Sequence, residues 1–294
     1  MLRERLTEDI YVFTSSRYVE VTATVIFTQR GVVVFDTLPF PSETREMRRF
    51  IERAQRGDVR YVILSHSHAD HVYGAYQFPE AEVVGHRKCY ELLLRYGNKG
   101  LQEAQKAEPE LNEVVLRHPA LWVEDNAALH LGNKTITLFH SPGHTPDLIA
   151  AYIEEERTML ASDTMMPIPY IVDGDPEDLI RSLETLKQYP MEHLVQGHGE
   201  VLLRGEIEEQ IDSNIAYLEK LIHTVREAVR EGRPVQELLR IPLEDFGKSR
   251  VPLEGLVVHL HRANVVSLYE RELQRLKRAR QKRRKASSKA KAAA

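Results

Sequence analysis

A single cysteine, Cys89, among 294 residues excludes an internal disulfide and any zinc site built from several thiolates, and it fits a reducing compartment. No motif brings a base to Cys89, so it reads as a small buried apolar residue and not as a nucleophile. Met1 to Ile10 alternates charges with single apolar residues and has no apolar run of signal-peptide or membrane-span length. The expectation is a cytoplasmic protein with no membrane partner. Repeats at solenoid periods are absent too, although two strand-rich halves are compatible with a divergent duplication.

An apolar share of 42% and a charged share of 29% are ordinary for a soluble globular chain. Its formal net charge of −4 is unevenly distributed, because Arg275 to Ala294 carries ten Lys or Arg and no acid. Subtracting that +10 leaves −14 for the rest, which argues against a basic nucleic-acid-binding surface on the folded body. Only the basic tail keeps a nucleic-acid partner open.

β-Branched and aromatic runs predict strands at Tyr11–Phe13, Val19–Thr28 and Val32–Asp36, then a helix from Ser42 to about Gly57 and a buried strand at Tyr61–Leu64. A strand at Glu82–Gly85 precedes a helical insertion over about 88–117. Leu121–Glu124, Leu129–Leu131, Thr135–Phe139, Leu148–Ile153 and Thr158–Ala161 restore the strand pattern. A helix at Asp175–Gln188, a strand at Leu194–Val195 and a long amphipathic helix at Glu206–Arg230 follow. The expected division is a catalytic domain over 1–230, a C-terminal helical extension over 231–276 with its main helix at Leu253–Leu276, and a basic low-complexity, disordered tail over 277–294.

Directly after the Tyr61–Leu64 strand, Ser65-His66-Ser67-His68-Ala69-Asp70-His71 packs three imidazoles and a carboxylate into six positions. In extended geometry His66 and His68 point the same way, while Asp70 and His71 lie where the chain turns, so one loop can address two neighbouring points. Three further His or Asp residues end strands in tight, mostly glycine-bearing turns: His144 after Ser141-Pro142-Gly143, Asp163 after Met159 to Ser162, and His198 between Gly197 and Gly199. This residue chemistry favours a metal site.

The order His-x-His-x-Asp-His, then His, then Asp, then Gly-His-Gly resembles that of the metallo-β-lactamase superfamily over roughly residues 8 to 230, with a glyoxalase II-like or lactonase-like character. The resemblance implies an α/β (α+β) fold, a four-layer αββα sandwich with the ligands at one edge. It also implies two divalent metal ions, zinc first and manganese or iron as alternatives, with His66, His68 and His144 on one ion, Asp70, His71 and His198 on the other, and Asp163 bridging. The implied reaction is hydrolysis of a carboxylic ester, lactone or thioester by a metal-bridging hydroxide, on a small-molecule acyl substrate. Asp70 is expected to move a proton as well as ligate. Tyr170 is a candidate oxyanion donor, as a similar tyrosine serves lactonases of the superfamily.

Several neighbours are expected to tune the site. Asp36 matches an acid that orients a ligand, His140 is a candidate outer group, and Tyr73 replaces a common glycine and narrows the mouth. Asp147, where the family usually has glycine, adds a carboxylate that disfavours anionic substrates; His259 and His261 diverge on a helix and read as surface or core residues. Alternatives of the same fold stay open: a mononuclear iron dioxygenase, a β-lactamase, or a phosphodiesterase of nuclease type. A homo-oligomer also stays open.

Overall fold

The computed structural model describes residues 1–292. Strands that are mostly buried on both faces build two sheets. In the first, β1 (Leu2–Arg5), β2 (Ile10–Thr14), β3 (Thr22–Thr28) and β4 (Gly31–Phe35) form an antiparallel meander. Helix α1 (Pro41–Ala54) crosses to β5 (Val59–Leu64), which runs parallel to β4. A single turn, α2 (Ala69–Val72), leads on to β6 (Glu82–His86), and α3 (Arg87–Leu92) with α4 (Asn98–Ala107) precedes β7 (Leu121–Val123), both strands parallel to the preceding one.

The second sheet has the order β13-β12-β11-β10-β9-β8. Strands β8 (Asn126–His130), β9 (Thr135–His140), β10 (Ile149–Ile153) and β11 (Thr158–Ser162) are antiparallel neighbours. Helix α5 (Pro176–Leu186) returns the chain to β12 (His193–Gln196), parallel to β11, and β13 (Leu202–Leu203) closes the edge. The α5 start follows from its sequence, because Asp175 accepts the Asp178 N–H at 3.0 Å and Pro176 needs no amide partner there. Helices α6 (Arg204–Glu231), α7 (Val235–Leu238) and α8 (Val257–Ala292) complete the fold.

Alternation along β3 shows how the layers form. Val25 and Phe27 join Met47 and Ile51 of α1 in one core, while Ile26 between them joins Leu138, Ile149 and Leu160 in the core shared by the two sheets. A third core lies between the second sheet and helices α5, α6 and α8, where Leu179, Leu218 and Val265 are buried together. The result is the expected αββα sandwich with an added C-terminal helical region. Burial of these apolar faces at roughly 25 cal/mol per Å2 is the main stabilising term. Among the described residues no helix is long and apolar enough to cross a membrane.

Several elements differ from the sequence expectations. Strand β1 was not foreseen, since all its residues are exposed and Leu-Arg-Glu-Arg offers no buried alternation at this sheet edge. The strand expected from Val19 begins at Thr22, because Val19 and Glu20 take left-handed backbone angles, φ 49° and 52°. The insertion contains α3, a π-helical turn at Leu93–Gly97, α4 and a 3-10 turn at Pro109–Glu113. The helix expected at Leu253–Leu276 starts at Val257 after a turn in which Leu253 and Glu254 are left-handed. It then continues without interruption to Ala292, so the segment from Lys277 is helical where disorder was expected, consistent with the high helix propensity of Ala, Lys, Arg and Gln. The last two residues of the 277–294 tail lie outside the described residues.

Candidate metal centre

All the candidate ligands stand at or just past the carboxyl ends of strands. β5 ends at Leu64 and delivers Ser65 to His68, and the single turn of α2 then swings Asp70 and His71 back toward the same point. β9, β11 and β12 deliver His144, Asp163 and His198 from the facing sheet. The ligand atoms of His66, His68, His144 and Asp163 lie within 4.8 Å of one another, as do those of Asp70, His71 and His198. These are the two groups that the sequence resemblance implies, with Asp163 Oδ1 3.3 Å from His71 Nε2 and Asp163 Oδ2 3.2 Å from His144 Nε2.

The outward nitrogens of the imidazoles are already committed. His144 Nδ1–H donates to the Tyr170 carbonyl at 2.8 Å, and His198 Nδ1–H donates to the Val19 carbonyl at 2.8 Å. His71 Nδ1 meets Asp36 Oδ2 at 2.9 Å, while His66 Nδ1 meets Ser65 Oγ at 2.9 Å. Carbonyl and carboxylate partners accept only, so these contacts fix the tautomers of His144, His198 and His71 and turn each Nε2 lone pair inward. His68 is reversed: its Nε2 lies 3.4 Å from Asp173 Oδ2, and its Nδ1 faces inward.

This commitment leaves a deficit that suits a cation. His144 Nε2 and His68 Nδ1 stand 3.0 Å apart, and with their other nitrogens engaged both are lone-pair donors facing each other. Among the described residues, His66 Nε2, His71 Nε2 and Asp163 Oδ1 are buried with no hydrogen-bond partner. Such atoms cost several kcal/mol each when nothing satisfies them. Nitrogen and carboxylate donors crowded in one buried pocket fit zinc or another borderline divalent ion.

The electrostatics agree. Burial would raise the Asp70 and Asp163 carboxyls, but His71 and His198 hold both well below the usual carboxylate range. Burial would lower His198, yet Asp163 and Asp70 push it up to about 10, so without a cation its inward Nε2 holds a proton where a metal ion would take the lone pair. His144 is pushed down to about 4 by burial, with Asp163 only partly offsetting it. The site therefore concentrates negative charge that calls for cations at its centre.

Backbone strain accompanies this arrangement. Val19, whose carbonyl fixes His198, Asp36, which fixes His71, and Ser162, directly before Asp163, have φ of 49°, 58° and 45°. Non-glycine residues rarely adopt these angles, and a β-branched valine does so least readily. Ser162 Oγ also donates toward Asp36 Oδ2 at 3.2 Å and Ser65 Oγ at 2.8 Å, tying both halves of the site together.

Asp36 has the orienting position that its sequence context suggested. Asp147 does not face the cleft: it is fully buried and accepts the Ser67 N–H at 2.8 Å, because the loop needs an internal acceptor there. His140 stacks on His86 with centroids 4.3 Å apart and contacts the Pro146 carbonyl, away from the ligand group. His261 is buried against the Tyr217 hydroxyl at 3.0 Å, and His259 lines a cavity beside Tyr18. Cys89 is buried, and burial pushes its thiol up, so it is inert. Tyr73 is buried and lines a cavity that includes His68, on its wall and not at its mouth.

The Tyr170 ring lies beside His144, centroids 5.9 Å apart, and burial raises its phenol. Two residues were missed. Asp173 engages His68, and Tyr18 has its phenol pushed up to about 12, first by the Asp70 charge and then by burial. Neither sits in a motif, and the left-handed pair Val19-Glu20 turns the loop that carries Tyr18.

The family model described as the metallo-beta-lactamase superfamily matches residues 17–198. The Beta-lactamase-like protein 2 homolog of Caenorhabditis elegans is 24% identical over 180 residues, 61% of this chain and 54% of that protein. A hydroxyacylglutathione hydrolase from Methylobacterium sp. (strain 4-46) is 25% identical over 177 residues, 58% of this chain and 61% of its own length. The chain thus spans between half and two thirds of these two relatives. Among solved structures, the stereoselective inverting sec-alkylsulfatase Pisa1 from Pseudomonas sp. superposes with a TM-score of 0.71 at 14% identity, covering 92% of this chain and 50% of that one. At that identity the likeness speaks for the fold.

Proposed function

Since this chain belongs to the metallo-beta-lactamase superfamily, we propose that it is a dinuclear metal-dependent hydrolase of carboxylic esters, lactones or thioesters. The observation that carries the reading is the pair of donor groups joined through Asp163, with His66 Nε2, His71 Nε2 and Asp163 Oδ1 left without a hydrogen-bond partner among the described residues. His66, His68 and His144 would hold one ion, Asp70, His71 and His198 the other, and Asp163 both. Divalent ions bound there supply Lewis acidity toward a carbonyl oxygen and activate water near neutral pH.

The chain's own residues supply the rest. Asp70, kept ionised beside His71 and His198, accepts the proton of the attacking water and returns it to the leaving group. Tyr170 stays protonated because burial raises its pKa, so its hydroxyl donates to the developing oxyanion.

The acidic body supports a small acyl substrate over a phosphate backbone, which demands a basic track. A cytoplasmic site of action belongs to the same reading, supported by the lone buried Cys89. The test is turnover of a panel of ester, lactone, thioester, β-lactam and phosphodiester substrates by the zinc-loaded protein. Carbonyl-ester turnover alone supports the reading, and turnover of the phosphodiester alone overturns it.

A further inference from the structure

A cavity of about 410 Å3 opens on the outer face of His68, with the helical insertion as its roof. Val72 and Tyr73 form its inner wall, and Leu92, Leu93 and Tyr96 form the outer one. Its size is that of a small-ligand site. The roof is built irregularly: Leu93–Gly97 is a π-helical turn between two α-helices, a feature that shifts side-chain register and recurs at functional sites. Leu93 packs down into the core of the first sheet, whereas Tyr96 is 53% exposed. An exposed aromatic over an apolar hollow marks a surface that gains from being covered.

The charge of the lining is as selective as its shape. Among the described residues that line the cavity there is no Lys or Arg. Its one carboxylate is Asp173, beside His68 at the exposed rim of the cavity. A glutathione conjugate or any acid-terminated acyl group would therefore meet a like charge and no cation to grip it.

We propose that this cavity is the acyl-binding site and that it selects neutral, unbranched apolar acyl groups of medium length over anionic ones. The inference rests on the hydrolase reading for the identity of the cleaved bond, but the cavity's preference for an alkyl chain can be measured without turnover. Gly100 gives the means. It lines the cavity at its exposed rim on α4, and a Cβ there would meet nothing within 4 Å, so a large side chain at this rim can be introduced without displacing the fold. Alanine at this helical position also favours folding.

The experiment takes the full chain in three forms, wild type, Gly100→Ala and Gly100→Trp. Binding of 1-decanol is followed by calorimetry on the metal-free protein, and hydrolysis of p-nitrophenyl esters from two to ten carbons is followed on the zinc-loaded protein. Wild type and Gly100→Ala are expected to bind decanol and to gain about fourfold in kcat/KM per methylene until the cavity fills. Gly100→Trp is expected to lose decanol binding and to prefer the shortest esters, and an acyl chain ending in a carboxylate is expected to be cleaved about tenfold more slowly than its neutral counterpart. Decanol binding lost in Gly100→Trp, with no ester cleaved by any form, supports the cavity and overturns the hydrolase reading. A flat chain-length profile, or decanol binding that Gly100→Trp leaves intact, overturns the proposal.

Discussion

Asp36 Oδ2 lies 2.9 Å from His71 Nδ1, with both side chains sealed from solvent, and Asp36 Oδ1 accepts the Ser65 N–H at 2.8 Å. One carboxylate thus sets the imidazole tautomer and anchors the start of the histidine loop. Asn also tolerates the left-handed backbone of this position, so Asp36→Asn removes charge without adding strain. It leaves an amide NH2 against either Ser65 N–H or His71 Nδ1–H. The expected outcome is a 10–100-fold weaker zinc affinity by competitive chelator titration, the range typical of groups that orient a ligand.

Gly197 stands where no side chain fits. A Cβ there would come within 1.8 Å of Asp163 Oδ1 and 2.7 Å of the Asp163 amide nitrogen. Gly197→Ala is expected to displace the carboxylate shared by both donor groups. Metal content per chain should fall from two to one or none, with far-ultraviolet circular dichroism unchanged.

Tyr170 has two separable parts. Its carbonyl orients His144, and any residue there supplies a carbonyl; only the phenol is lost in Tyr170→Phe. Metal content is therefore expected to hold while kcat falls about 100–1,000-fold, the scale of a removed oxyanion donor. Loss of metal together with kcat would make the residue structural.

Lys248 is buried and, among the described residues, its ammonium bonds only the neutral Ser213 Oγ at 2.9 Å and Asn214 Oδ1 at 2.6 Å. Burial pushes it down to about 8. Between pH 8 and the usual lysine range near 10.4 the unfolded chain binds more protons than the folded one, so this residue's contribution to stability rises with pH across that window. Relative to Lys248→Met, urea stability of the parent protein should improve by about 2 kcal/mol from pH 7 to pH 10. A constant difference between the two would contradict this.

The site was legible because its ligands sit in short motifs at strand ends: His66 to His71 on one loop, and His144, Asp163 and His198 beside strands whose apolar runs are plain. The layers were legible for the same reason, since a continuous apolar run such as Val25-Ile26-Phe27 marks a strand buried on both faces. What escaped depends on tertiary geometry. Asp147 and Asp173 are both acids near a histidine in sequence or space, and only folding decides that Asp147 turns inward to Ser67 while Asp173 meets His68. Tyr18 was hidden because the two left-handed residues after it carry no glycine or asparagine to announce a turn. The persistence of α8 past Lys277 was hidden because basic low complexity and high helix propensity coexist in the same residues.

Elemental analysis of metal per chain on purified wild type and His68→Ala, run with ester turnover on the same samples, tests the central claim most directly. The account predicts two zinc or manganese ions per wild-type chain with ester hydrolysis, and loss of both occupancy and turnover in His68→Ala. One iron per chain with no hydrolysis, or full activity in His68→Ala, would contradict it.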